Sequence, residues 1–130
     1  MRYITAIYLT LACTLSACDM AGHGFRGLTA TRIQIGEMHF TMRAAGDQVE
    51  AIRTNTMARP RMDRVSFLAG SAIEAMTGCR VHKIGGDVAV ALAELKCPRG
   101  RDLSALALGG TYRCLPQGEQ GSSSLCLKLD

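Results

Sequence analysis

From Thr31 onward, apolar and polar residues alternate along the chain. Ile33 and Ile35 share one face, Gly36 interrupts, and Met38, Phe40 and Met42 resume the alternation. A period of two predicts a half-buried strand, and a glycine at the phase switch predicts a β-bulge. Ala45-Gly46-Asp47 supplies a turn, after which Val49, Ala51 and Ile52 lie in a second strand, so the two form a hairpin. The period then lengthens. Val65, Leu68, Ala69, Ala72, Ile73 and Met76 recur on one face of a helix, with Asp63 as its cap and Gly78 as its stop. Gly70 within it costs about 1 kcal/mol against alanine, so tertiary packing must support the helix there. Cys79 to Ile84 and Val88 to Leu95 read as two more strands around a Gly85-Gly86-Asp87 turn. The Gly-Asp pair at 46–47 and again at 86–87 is shared turn chemistry rather than a repeat.

The tail is less regular. Asp102 to Leu108 fits either a short helix or a strand with Leu106 and Leu108 inward. Thr111 to Leu115 and Leu125 to Leu129 read as a terminal hairpin across a loop rich in glycine, serine and glutamine. The expected fold is therefore α+β. It is a small two-layer domain over residues 31–130, an antiparallel sheet with one packed helix, in the order ββαββ plus a C-terminal hairpin.

The first residues follow another logic. Arg2 gives a short positive flank, and Ile4 to Leu15 is apolar apart from threonines 5, 10 and 14. The stretch is shorter than the roughly 20 residues needed to cross a bilayer and suits a secretory signal peptide. It ends in Leu15-Ser16-Ala17-Cys18, an aliphatic residue, two small ones and a cysteine. This resembles the lipobox of bacterial lipoproteins. The resemblance covers about the first twenty residues. It implies cleavage before Cys18, diacylglyceryl on its thiol, and anchoring to a membrane through covalent lipid. Residues 1–17 would then be the signal peptide, and residues 18–30, with Gly22, Gly24 and Gly27, a lipidated tether. Asp19 resembles the inner-membrane retention signal of enteric-type lipoproteins, which implies a periplasm-facing domain on that membrane, with the outer membrane as alternative. In size and layout the chain also resembles small lipoproteins of alphaproteobacteria. Each buried CH₂ contributes about 0.8 kcal/mol, so one acyl chain alone holds only marginally.

Export changes the meaning of the cysteines. Beyond Cys18, the later part of the chain holds Cys79, Cys97, Cys114 and Cys126, an even set that points to two disulfides in an oxidising compartment. Nearest-neighbour pairing, Cys79–Cys97 with Cys114–Cys126, closes the shortest loops. Cys114 and Cys126 are equidistant from Gln120, as a symmetric hairpin requires. A tight turn centred near Gly86 instead opposes Cys79 to about residue 92, so the Cys79–Cys97 bridge requires an irregular loop or the helix end crossing back over the sheet. With no Cys-x-x-Cys pair and no histidine at ligand spacing, a zinc site is disfavoured.

Composition narrows function mainly by exclusion. The formal net charge is +4 and there is no tryptophan. No phosphate-binding loop or strongly basic run points to nucleotides or nucleic acid. His23, His39 and His82 have no carboxylate or nucleophile at a catalytic spacing. Met38, His39 and Met42 could suggest copper, but on a strand the methionines share a face that His39 avoids, which favours core packing. Serines 122–124 form no nucleophile elbow. The one cluster that stands out is Arg53, Arg59, Arg61 and Arg64 around Pro60, a candidate contact for anionic lipid, an acidic polymer or an envelope protein. The expectation is a non-enzymatic envelope module without cofactor or metal. The alternative is an inhibitor or accessory subunit of an envelope enzyme, because small periplasmic lipoproteins that inhibit lysozyme share the general profile.

Overall fold

The structure is a computed structural model and describes residues 20–99, 103, 109–118 and 123–130. Its strands are β1 (Thr31–Ile35), β2 (Met38–Ala45), β3 (Gln48–Arg53), β4 (Arg80–Gly86), β5 (Val90–Lys96), β6 (Gly110–Gln117) and β7 (Ser123–Lys128), and its helix is α1 (Met62–Thr77). They form one mixed seven-stranded sheet in the order β4-β5-β3-β2-β1-β6-β7, curled into a half-barrel with the helix on one face.

The α+β class holds, but three strands rather than two precede the helix. The difference lies at Gly36. It opens a two-residue turn with φ 55°, and Ile35 faces Met38 across that turn. In such a hairpin the residues flanking the loop point to the same side, so the buried face shifts phase just as it would at a bulge. Glycine at the first loop position is the II′ signature. The same device recurs ten residues on, where Gly46 has φ 62° and Ala45 faces Gln48. The true echo in the sequence is thus Gly36-Glu37 with Gly46-Asp47.

The sheet is also not wholly antiparallel. β6 runs parallel to β1, placing Ile35 beside Cys114 and Ile33 beside Tyr112. After β5 the chain crosses to the far side of the sheet, and a parallel pair requires such a crossover. Of the ambiguous 102–108 stretch only Leu103 lies among the described residues, and it is buried in the core.

Ile33, Ile35, Met38, Phe40, Met42, Val49 and Ala51 from the sheet meet Val65, Leu68, Ala69, Ala72 and Ile73 from the helix. Full burial of each large side chain contributes about 1.5–3 kcal/mol. Alanines 51, 91 and 93 leave the sheet shallow beneath the helix, and Ala51 pairs with Ala91 across β3 and β5. The helix stop is as expected: Gly78 has φ 69° and its N–H donates to the Glu74 carbonyl at 2.8 Å. The expected cap is not. Arg61 occupies the N-cap position without a side-chain cap bond, and Asp63 lies inside the first turn. There Asp63 accepts two bonds from the Arg61 guanidinium, at 3.1 and 2.8 Å, so its side chain turns back to Arg61 instead of capping the helix. That guanidinium, chiefly through its side-chain hydrogen bonds, holds the Asp63 carboxyl below the usual aspartate range.

Both disulfides form, Cys79–Cys97 and Cys114–Cys126. The second joins directly opposed residues of the β6–β7 hairpin. The first needs no irregular crossing, because the β4–β5 turn lies further along than Gly86. Gly86 faces Ala91, and Arg80 faces Lys96. Cys79 and Cys97 are therefore the next opposed positions. A register shift between Val81 and Lys83 absorbs the odd residue. The turn itself is held by Asp87, whose carboxylate accepts the Ala89 and Val90 N–H groups at 2.7 and 2.9 Å.

Candidate functional site

With the helix sealing one face of the sheet, the other face is the place to look for chemistry. The alternation that points Ile33, Phe40 and Val49 into the core points Arg32, Gln34, His39, Thr41, Glu50 and Ile52 the other way. Register sorts them into rows. Thr111, Arg32, Thr41 and Ile52 cross β6, β1, β2 and β3 in one row, and Arg113, Gln34 and His39 form the next. Thr54 extends the second row, since its N–H donates to the His39 carbonyl at 2.9 Å.

These rows floor a cleft of about 430 Å³ lined by Arg32, Gln34, His39, Thr41, Thr54 and Thr111, with Ile33 and Phe40. It is lined by one guanidinium, one imidazole, an amide and three hydroxyls, of which that of Thr41 is buried and that of Thr54 donates to the His39 carbonyl at 3.4 Å, and by no carboxylate. Arg32 and His39 are exposed, and among the described residues Arg32 has no ion-pair partner. Such a donor-rich surface suits an anionic or carbonyl-bearing group.

One side of this open face is covered. Ala21 and Phe25 are buried, and a single 3₁₀ turn spans His23–Phe25. The Gly22 N–H donates to the Glu50 carboxylate at 2.8 Å. Glu50 is 3 % exposed and faces Arg43 across β2 and β3. The glycine-rich stretch read as a free tether is thus docked on the sheet from Ala21 onward. Gly22 is glycine for a steric reason, because a Cβ there would lie 2.5 Å from Glu50 Oε2.

The four arginines around Pro60 meet different fates. Arg53 turns inward, its Nε donating to the Val88 carbonyl at 2.9 Å and its Nη1 to the Asn55 carbonyl. Arg61 pairs with Asp63, and Arg64 lies 3.5 Å from Glu37 in the first hairpin turn. Only Arg59, at φ 53° in the exposed loop, has no hydrogen-bond or ion-pair partner among the described residues. Asn55 pins this loop to the same turn, accepting from the His39 N–H at 3.0 Å and donating to the Glu37 carbonyl at 2.9 Å. Three of the four guanidiniums are therefore engaged, Arg61 only locally with Asp63, and the exposed arginines of the open face are Arg32 and Arg113, which a search for clustered charge passes over. Their signal in the sequence was weak but present. Arg32 alternates with buried Thr31 and Ile33, and Arg113 with buried Cys114, so each had to face away from the core.

Met38 and Met42 are fully buried, with His39 on the opposite face. His23 and His82 are exposed. Ser124 shares a hydrogen bond with Ser71 of the helix at 2.6 Å. Cys18 and Ser122 lie outside the described residues. Among the described residues no group of three His, Cys, Asp or Glu side chains is placed to hold a metal ion, and no helix is long and apolar enough to cross a membrane. No protein-family model matches the chain, and comparison with curated proteins and with solved structures finds no match either.

Proposed function

We propose that the chain is an exported, lipid-anchored binding module of the bacterial cell envelope, and that it binds an anionic component through the open face of its sheet. The observation that carries this reading is the open-face cleft, rich in donors around Arg32 and lined by no carboxylate. A guanidinium flanked by hydroxyl and amide donors recognises phosphate or carboxylate oxygens through charge-assisted hydrogen bonds. Two disulfides fit an oxidising compartment. The Leu15-Ser16-Ala17-Cys18 box supplies the anchor, with Asp19 favouring the inner membrane. The role is non-enzymatic, as a positioned binding surface.

The test has two parts. Intact mass of full-length protein recovered from an exporting bacterium should show a chain beginning at Cys18 and carrying diacylglyceryl. Affinity capture from solubilised envelope should then recover an anionic component that Arg32→Ala loses and Arg59→Ala keeps. Capture that is indifferent to Arg32 would remove the cleft from the reading. An unlipidated product cut elsewhere would remove the anchor.

A further inference from the structure

Four leucines stand half-exposed on the strands that end the sheet: Leu115 at 48 %, Leu125 at 48 %, Leu127 at 52 % and Leu129 at 52 %. Their placement is not scattered. Cys114 and Cys126 face the core and bond each other, so the alternating residues of both strands face the opposite way. Leu115 pairs with Leu125, Arg113 with Leu127, and the Leu129 N–H donates to the Thr111 carbonyl at 2.9 Å. The leucines form a stripe roughly 14 Å long at a strand rise of about 3.4 Å per residue. Arg113 lies within it, and Arg32 is the next residue across the sheet from Thr111. The stripe and the donor-rich cleft are thus continuous parts of one open face.

We infer that this face lies against the bilayer, with the leucines entering the interfacial region and Arg32 and Arg113 meeting anionic lipid phosphates. The inference deepens the proposed function and rests on it for placing the chain at a membrane. Two observations select a bilayer over other occupants. The first is where the chain comes from. The docked segment reaches Glu50 on this same face through Gly22, and Met20, two residues before it, is 65 % exposed. Cys18 is two residues further upstream, and two residues span at most about 7 Å. Lipid on Cys18 would therefore attach within chain reach of the β3 side of the open face, across the sheet from the leucines. The second is charge. Arg113 lies among the leucines and Arg32 one strand further in, both exposed, and neither has an ion-pair partner among the described residues. A second copy stacked on this face about a two-fold axis would set the same cationic patch of each copy against the other, whereas lipid phosphate complements it. Diacylglyceryl already brings two acyl chains, so this face would set the orientation of the domain on the membrane rather than complete its anchor.

The experiment uses full-length protein in membranes of an exporting bacterium, treated with a carbene reagent that partitions into lipid. Phe67 of the helix is the internal control, being 41 % exposed on the other side of the molecule. Peptides carrying Leu125, Leu127 and Leu129 should take up several times the label of the peptide carrying Phe67. Leu125→Glu with Leu127→Glu should abolish that difference, and an intact Cys114–Cys126 bridge by non-reducing mass would show that the variant still folds. In purified form, binding to vesicles with a third phosphatidylglycerol should fall roughly tenfold on Arg32→Ala with Arg113→Ala. Equal label at Phe67 and the leucines overturns the inference. Leucines shielded by cross-links between two β7 strands overturn it too and assign the face to a second copy. Intact mass separates the two levels. A lipidated Cys18 with unlabelled leucines sinks only the docking face, and labelled leucines without lipid sink only the anchor.

Discussion

A single methyl group should peel the N-terminal segment from the sheet. At Gly22 a Cβ would lie 2.5 Å from Glu50 Oε2 and 3.9 Å from the Phe25 ring. The same Glu50 oxygen accepts the Gly22 N–H at 2.8 Å. Glu50 is buried, so its carboxylate cannot swing into solvent without losing its packing. Gly22→Ala must therefore lengthen the bond or displace the carboxylate. A hydrogen bond to a charged group contributes about 1.5–3 kcal/mol. At 1.4 kcal/mol per factor of ten, losing it raises the open population of this segment roughly ten- to a hundredfold. The main core lies on the other face, so the effect belongs to local opening more than to global unfolding. Trypsin reads that opening at Arg26, one residue past buried Phe25, when cleavage is slow against reclosing. Cleavage after Arg26 should accelerate by that factor, while Arg32 and Arg43 within the sheet stay protected. The thermal midpoint should move by no more than a few degrees. Unchanged cleavage would refute the clash, and an equal loss of global stability would show that the segment is part of the cooperative core.

Other changes have equally definite outcomes. Replacing Cys79 and Cys97 together, or Cys114 and Cys126 together, by serine should cost about 3 kcal/mol each, because the bridges close loops separated by 18 and 12 residues, and denaturant midpoints would measure it. Gly70→Ala should stabilise by about 0.5–1 kcal/mol, since a Cβ there meets only Val81 Cγ2 at an ordinary 3.8 Å and the helix gains propensity; destabilisation would show a tighter interface than the contact implies. The Val90 and Ala89 N–H groups hold the Asp87 carboxyl below its ordinary value of 3.8, so its stabilisation is complete above that value and is lost as pH falls through the lower folded value. Amide signals of Ala89 and Val90 should therefore shift below pH 3.8 in the native protein and not in Asp87→Asn, a difference that two-dimensional NMR would detect. Arg61→Ala should change stability by less than about 1 kcal/mol, because the Arg61–Asp63 pair is exposed at both ends.

Much of the fold could be read from local patterns, and the departures share a physical cause. The helix between 62 and 77, its glycine stop and the Cys114–Cys126 pairing each depend on periodicity or symmetry within a few residues. The Gly36 hairpin was misread because a two-residue turn and a bulge shift the buried face alike, and the sequence holds nothing else that separates them. Asp63 looked like a cap because it precedes the apolar face, but Arg61 two residues earlier offers it a stronger partner than backbone N–H groups. The parallel pairing of β6 with β1 joins residues about 79 positions apart and left no local trace. The open face was half legible. Alternation pointed Arg32 and His39 away from the core, but only the sheet order brings Thr111 and Arg113 beside them. The loop arginines carried the stronger charge signal, and Glu37, Asp63 and two backbone carbonyls engage three of them.

Polar donors and exposed leucines on one face are costly to a protein that needs only to fold. The helix side shows the ordinary solution, with Ile35, Met38, Phe40 and Met42 all buried to within 1 %. On the other side the chain had the means to do the same. It folds a segment onto Glu50 and buries Phe25. Among the described residues Leu115, Leu125, Leu127 and Leu129 remain half-exposed beside Arg113. Folding stability cannot explain leucine at these positions, since serine or threonine would suit an exposed strand as well and reduce aggregation through the β7 edge. A surface that keeps apolar and cationic groups side by side is matched by a partner that is itself apolar beneath and anionic above. A bilayer interface has that structure, and the lipid expected on Cys18 would bring this face to it.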